Sequence, residues 1–146
     1  MFLNQTIEYA FRAMAYLAIQ EKQTPLRAKD LASYTDVPLP YLSKIMRRLV
    51  TAGLLASHKG HGGGFQLAKS PQQIRFLDIL QALDYPLQPN RCAFGWGNCD
   101  LQNPCPLHQS WSNLNEKLKT WAETNTLASL TSQQNTPPTQ KTLEKE

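Results

Sequence analysis

Four of the chain's seven glycines fall within six residues, at Gly60, Gly62, Gly63 and Gly64. No helix accepts that density, because each glycine costs roughly 1 kcal/mol against alanine in a helix interior. The backbone there must turn tightly or lie close against another backbone. Residues 54–58 and 65–68 flank the run and read as two short strands, so residues 59–64 become the tip of a hairpin carrying Lys59 and His61. Ser70-Pro71 closes it.

The segments before the hairpin have helical period. Ile7, Ala10, Phe11, Met14, Leu17 and Ala18 make one apolar face over residues 6–20, with Asn4 or Thr6 as the cap. Pro25 breaks the chain after it. A short helix is predicted over 28–34, with Ala28, Leu31 and Ala32 inward, then a turn at 35–38. The next helix starts at residue 39 or 40 and runs to 52, with Pro40 in its first turn and Gly53 at its C-terminal end. Its buried face is Leu42, Ile45, Met46, Leu49 and Val50. After the hairpin, Phe76, Ile79, Leu80 and Leu83 predict one more helix over 76–83.

From residue 84 to 106 no period is visible. This stretch holds all three cysteines and is too long for an idle connection. A long helix is then predicted over 106–128. Leu107, Trp111, Leu114, Leu118 and Trp121 alternate steps of four and three along it, the spacing of a coiled-coil seam. Two heptads alone leave packing on its own domain open, but two tryptophans on the stripe favour an interface. Residues 129–146 carry almost no apolar groups and read as a disordered tail.

Charge divides the chain. Residues 1–75 hold 10 Lys and Arg against 4 Asp and Glu, whereas residues 76–146 hold 5 against 7. A basic first half suits the phosphate backbone of nucleic acid. No apolar run approaches the roughly 18 residues needed to span a bilayer, and the N-terminus lacks a signal-peptide pattern. The expected location is the cytoplasm, without a membrane partner. No catalytic acid–base pair or nucleotide loop is visible, so neither an enzyme nor a small-molecule substrate is expected.

Helix, short helix, turn, helix and two-stranded hairpin is the order of a winged helix-turn-helix, whose second helix of the pair enters the major groove. The expected fold is therefore mainly α with a small β wing: a DNA-binding domain over 1–83, a cysteine loop over 84–106, and a dimerisation helix over 107–128. Tyr41, Lys44, Arg48 and Thr51 line the free side of helix 39–52, and Ser43 and Arg47 flank it. Lys and Arg can neutralise phosphates or pair with guanine edges, and Tyr and Ser can donate to phosphate oxygens. At the wing, Lys59, Gly60 and His61 are placed to meet a minor groove or phosphates.

Cys92, Cys99 and Cys105 are spaced C-x6-C-x5-C, and His108 follows as C-x2-H. An odd cysteine count in a reducing compartment argues against structural disulfides. Thiolates suit zinc or an iron–sulfur cluster. Structural zinc favours tighter C-x2-4-C pairs, and the wide spacings suit a loop wrapped around a larger object; free redox thiols are the remaining reading. A cluster would take a fourth ligand, either His108 or Glu8 from a dimer partner's first helix.

Taken together, Pro40-Tyr41-Leu42, Ala52-Gly53-Leu54-Leu55, the run from Lys59 through Ala68 and the three cysteines resemble the Rrf2-type (IscR/NsrR-like) family of iron–sulfur winged-helix regulators, over about residues 5–128. The resemblance implies a homodimer crossed through its last helix, binding a double-stranded, partly palindromic operator, most simply as a repressor. It implies that Tyr41, Ser43, Lys44, Lys59 and Gly60 face DNA. It implies a cluster on Cys92, Cys99 and Cys105 with one non-cysteine ligand. C-x2-H favours [2Fe–2S] with His108, and [4Fe–4S], with Glu8 available, is the alternative. The first cysteine spacing is one residue longer than the IscR pattern. Ser43 replaces a sequence-filtering glutamate and His61 a common wing proline, so operator choice does not carry over. A winged-helix zinc or thiol-redox sensor without iron is the competing function.

Overall fold

The structure, a computed structural model, describes residues 3–87, 92 and 94–131. It is mostly helical with one two-stranded antiparallel sheet. Helix α1 spans Gln5–Ile19, and Asn4 rather than Thr6 caps it: the Ile7 amide donates to Asn4 Oδ1 at 3.0 Å. Its inward face is Ile7, Ala10, Ala13, Met14, Leu17 and Ala18. Phe11 is only half-buried, because it lies at the edge of that face in an aromatic cluster described below.

Helix α2 (Ala28–Thr35) ends on Asp36 in the left-handed conformation, and helix α3 covers Leu39–Thr51. Leu42, Ile45, Met46 and Leu49 of α3 join Leu31 and Ala32 of α2 and the α1 face in a single core. Strands β1 (Leu55–His58) and β2 (Gly64–Leu67) pair antiparallel in the register Leu55–Leu67 to His58–Gly64. β1 starts one residue later than predicted, because Leu54 still belongs to the cap of α3, its amide donating to the Leu49 carbonyl at 3.0 Å, and β2 lies one residue earlier than predicted.

A contact invisible in the local sequence joins the hairpin to the connector before α2. Leu26 bridges Phe65, with its amide donating to Phe65 O at 2.9 Å and accepting at its own carbonyl from the Phe65 amide at 2.7 Å. This approach is what requires glycine at position 64. A Cβ there would stand 2.3 Å from the Leu26 carbonyl atoms. At Gly63 it would stand 2.4 Å from the His58 carbonyl oxygen.

A 3-10 turn at Pro71–Gln73 leads into helix α4 (Phe76–Ala82). The Asp78 carboxylate holds the start of α4, accepting from the Arg75 amide at 2.9 Å and from its guanidinium at 2.8 Å. Helix α5 covers His108–Thr124, shorter at both ends than predicted. At its C-terminal end the chain returns to the first domain. Thr126 bridges Arg75, the Leu127 amide donates to Ile74 O at 2.9 Å, and Leu127 is fully buried. Residue 128, expected to end the long helix, and residues 129–131, expected in the disordered tail, instead form helix α6 (Ala128–Thr131) packed on α1. Burial of Leu127 orders them. The remainder of the predicted tail, 132–146, lies outside the described residues.

Candidate DNA-binding surface and cysteine loop

Helix α3 presents two chemically distinct sides. Opposite its buried stripe, Tyr41, Lys44, Arg47 and Arg48 are exposed, and Ser43 is half-buried. Tyr41 stands in the first turn with its ring 6.4 Å from that of Tyr9 on α1, whose other neighbour is the Arg12 guanidinium at 5.6 Å. These aromatic contacts hold the Tyr41 ring while leaving the residue mostly solvent-exposed. Arg48 is not free. Its Nη2 donates to Asp84 Oδ2 at 2.6 Å, across 36 residues of sequence.

The wing places Lys59, Gly60 and His61 in solvent at the hairpin tip. The Gly63 amide donates to Gly60 O at 3.0 Å and closes the turn. The bridge at Leu26 also sets exposed Arg27 beside the base of the wing, since the Arg27 amide lies next to Gly64. With the pairing partner of Leu26 39 residues away, no local signal in the sequence marks this contact.

The cysteine loop is a series of tight turns among its described residues. The Cys92 amide donates to Gly97 O at 3.2 Å, and Gly95 returns a bond to Cys92 O at 3.3 Å. The Phe94 amide points at Cys92 Sγ, 3.4 Å away. Asp100 accepts from the Gln102 amide at 2.8 Å, a bond that together with the Asn103 side chain holds its carboxyl below the usual carboxylate range. The His108 amide donates to Cys105 O at 3.0 Å, so His108 opens α5 one turn after Cys105.

All three cysteines are free and half-buried. Among the described residues, no group of three or more His, Cys, Asp or Glu side chains converges as a metal site. The thiols lie on one loop and His108 at the start of α5 just after it, without converging on one point. Glu8 is half-buried in the first turn of α1, where a carboxylate suits the helix dipole. The donor set still fits a thiolate-bound centre chemically: three unpaired thiols, an imidazole, and a backbone amide already directed at one sulfur.

On α5 only Ala122 is buried. Leu107, Leu114 and Trp121 are exposed, and Trp111 and Leu118 are half-buried. The predicted seam is present as a stripe, but its two ends differ. Trp121 stacks on Phe76 at 4.9 Å and lies 6.3 Å from Phe11, which meets Phe76 edge-on at 5.0 Å. That end is anchored to its own domain, as an amphipathic helix also can be. No helix among the described residues is long and apolar enough to cross a membrane.

Three stacked helices, a glycine-tipped wing and a cationic outer face on α3 are the architecture of a winged-helix DNA-binding protein. Residues 3–133 match the Rrf2 family, described as "Iron-dependent Transcriptional regulator", and the chain belongs to that family. It is 31% identical over 134 residues to the HTH-type transcriptional regulator IscR of Cronobacter sakazakii, covering 92% of this chain and 82% of that one. The fold is shared with CymR, the global cysteine regulator of B. subtilis, at a TM-score of 0.75 and 24% identity, covering 90% and 97% of the two chains. It is also shared with T. potens IscR, at a TM-score of 0.71 and 24% identity, covering 90% and 87%.

Proposed function

We propose that the protein is a homodimeric, cytoplasmic repressor whose operator binding responds to an iron–sulfur cluster. The observation that carries the reading is the placement of three free cysteines on the loop joining the DNA-binding body to the exposed stripe of α5. Tyr41, Ser43, Lys44, Arg47 and Arg48 read one major groove per protomer, with Lys59, Gly60 and His61 alongside. Cys92, Cys99 and Cys105 hold the cluster, and His108 is the preferred fourth ligand, with Glu8 from the partner as the other. The C-x2-H pattern favours [2Fe–2S] over [4Fe–4S]. A bound cluster would supply a redox-sensitive staple for the loop. The chain's own part is to transmit the loop's state to α5 and so to the spacing of two reading helices. Couplings of this kind are typically worth about 1–3 kcal/mol.

Anaerobic purification with visible and Mössbauer spectra tests the cofactor. Cys99→Ala is expected to abolish the visible absorption and to change operator affinity while leaving the dimer intact. His108→Ala shifts the spectrum if His108 is the ligand, and Glu8→Ala does so if Glu8 is. Equal binding of every operator by holo and apo protein would remove the sensor. A second reading, a zinc or thiol-redox switch without iron, rests on the same three free, half-buried thiols, which are as suited to zinc or to reversible oxidation as to iron. A colourless protein carrying zinc or a reversible disulfide would support it.

A further inference from the structure

Three ion pairs are formed among the described residues. Arg75–Asp78 and Lys119–Glu123 each lie within one helical turn of sequence. Arg48–Asp84 alone joins separate parts of the fold. Asp84 directly follows Leu83, the C-cap of α4, and opens the cysteine loop; its amide donates to Gln81 O at 3.1 Å, and its φ is +53°. Arg48 stands one turn after Lys44 and two after Tyr41 on the outer side of α3. The pair is open to water, with side-chain exposures of 42% and 89%. An exposed pair of this kind does little for stability. Its consequence lies instead in what it occupies. The guanidinium fork suits carboxylate and phosphate equally well, and in this structure the carboxylate of Asp84 occupies it.

We infer that Asp84 is a positioning residue for DNA binding: it holds Arg48 away from phosphate and yields it when the cysteine loop shifts. The inference rests on α3 being the reading helix, and it gives the loop a direct route to that helix within one protomer, independent of the dimer axis. Asp84→Asn tests it cleanly. Asparagine tolerates the left-handed backbone that alanine would strain, and it removes only the charge.

The measurement is affinity for a duplex selected by the wild-type protein from a random-sequence library, taken across a salt series. D84N is expected to bind about threefold to tenfold more tightly at low salt and to steepen the salt dependence by about 0.9, the increment for one added phosphate contact. Arg48→Ala is expected to abolish that gain, so the double variant matches R48A. Unchanged affinity and slope in D84N would overturn the inference. So would an equal gain in the R48A background, which would mark a general charge effect, or a D84N melting temperature well below wild type, which would mark a strut. Failure of the underlying reading looks different: Lys44→Ala and Arg47→Ala would then bind like wild type.

Discussion

Asp78 shows how one side chain can start a helix and carry a pH dependence. Burial raises its pKa, but hydrogen bonds from the Arg75 guanidinium and amide, with the charges of Arg75 and Lys69, outweigh it and leave the pKa below the ordinary 3.8. A carboxylate with a depressed folded-state pKa contributes stability above its unfolded pKa and loses it as the pH falls through the folded value. Arg75 is well exposed, so solvent screens the pair. Asp78→Asn is therefore expected to cost up to about 1 kcal/mol at neutral pH. In thermal melts the gap from wild type should close below about pH 4; a gap independent of pH would assign the effect to packing. Gly64 and Asp84 illustrate the other residue-scale lesson. The glycine run announces a turn, yet the Leu26 carbonyl that forbids a side chain at 64 is known only from the fold.

At the scale of elements, α3 combines a clean apolar stripe with an outer face of Tyr41, Lys44, Arg47 and Arg48. If that face meets phosphates, replacing Lys44 or Arg47 with Ala should weaken operator binding and lower the salt slope by about 0.9 per lost contact. Filter-binding or anisotropy titrations across salt decide this, and two variants with wild-type affinity would move the reading helix elsewhere. The helices and the hairpin were legible because 3.6-residue and two-residue periods are local properties of the chain. The end of α5 was not. The helix predicted to reach residue 128 stops at Thr124, because Leu127 finds a buried place against Ile74 and the chain leaves the helix to reach it.

Across the whole molecule, α5 is anchored at one end and open at the other. Trp121 and Leu114 are similarly exposed in the single chain, at 42% and 44%, but Trp121 also stacks on Phe76 and lies near Phe11. Under the dimer reading a second copy covers the open part. Leu114→Asp combined with Leu118→Asp is then expected to sediment as a folded monomer with weakened operator affinity. A dimer of undiminished affinity would place the contact on another surface. The residues from 1 to 75 carry the positive charge and the residues beyond carry the negative, a division that fits a body gripping DNA and a distal part that does not. The order of helices, the wing, the cationic side of α3 and the spacing of Cys92, Cys99, Cys105 and His108 follow from the sequence by itself, since period and residue type are enough to define them. The Leu26–Phe65 bridge, the return of Leu127 to the core and the hold of Asp84 on Arg48 were decided by the tertiary structure. Each depends on residues about 35 to 55 positions apart meeting at one point, and only the packing of the core brings them there.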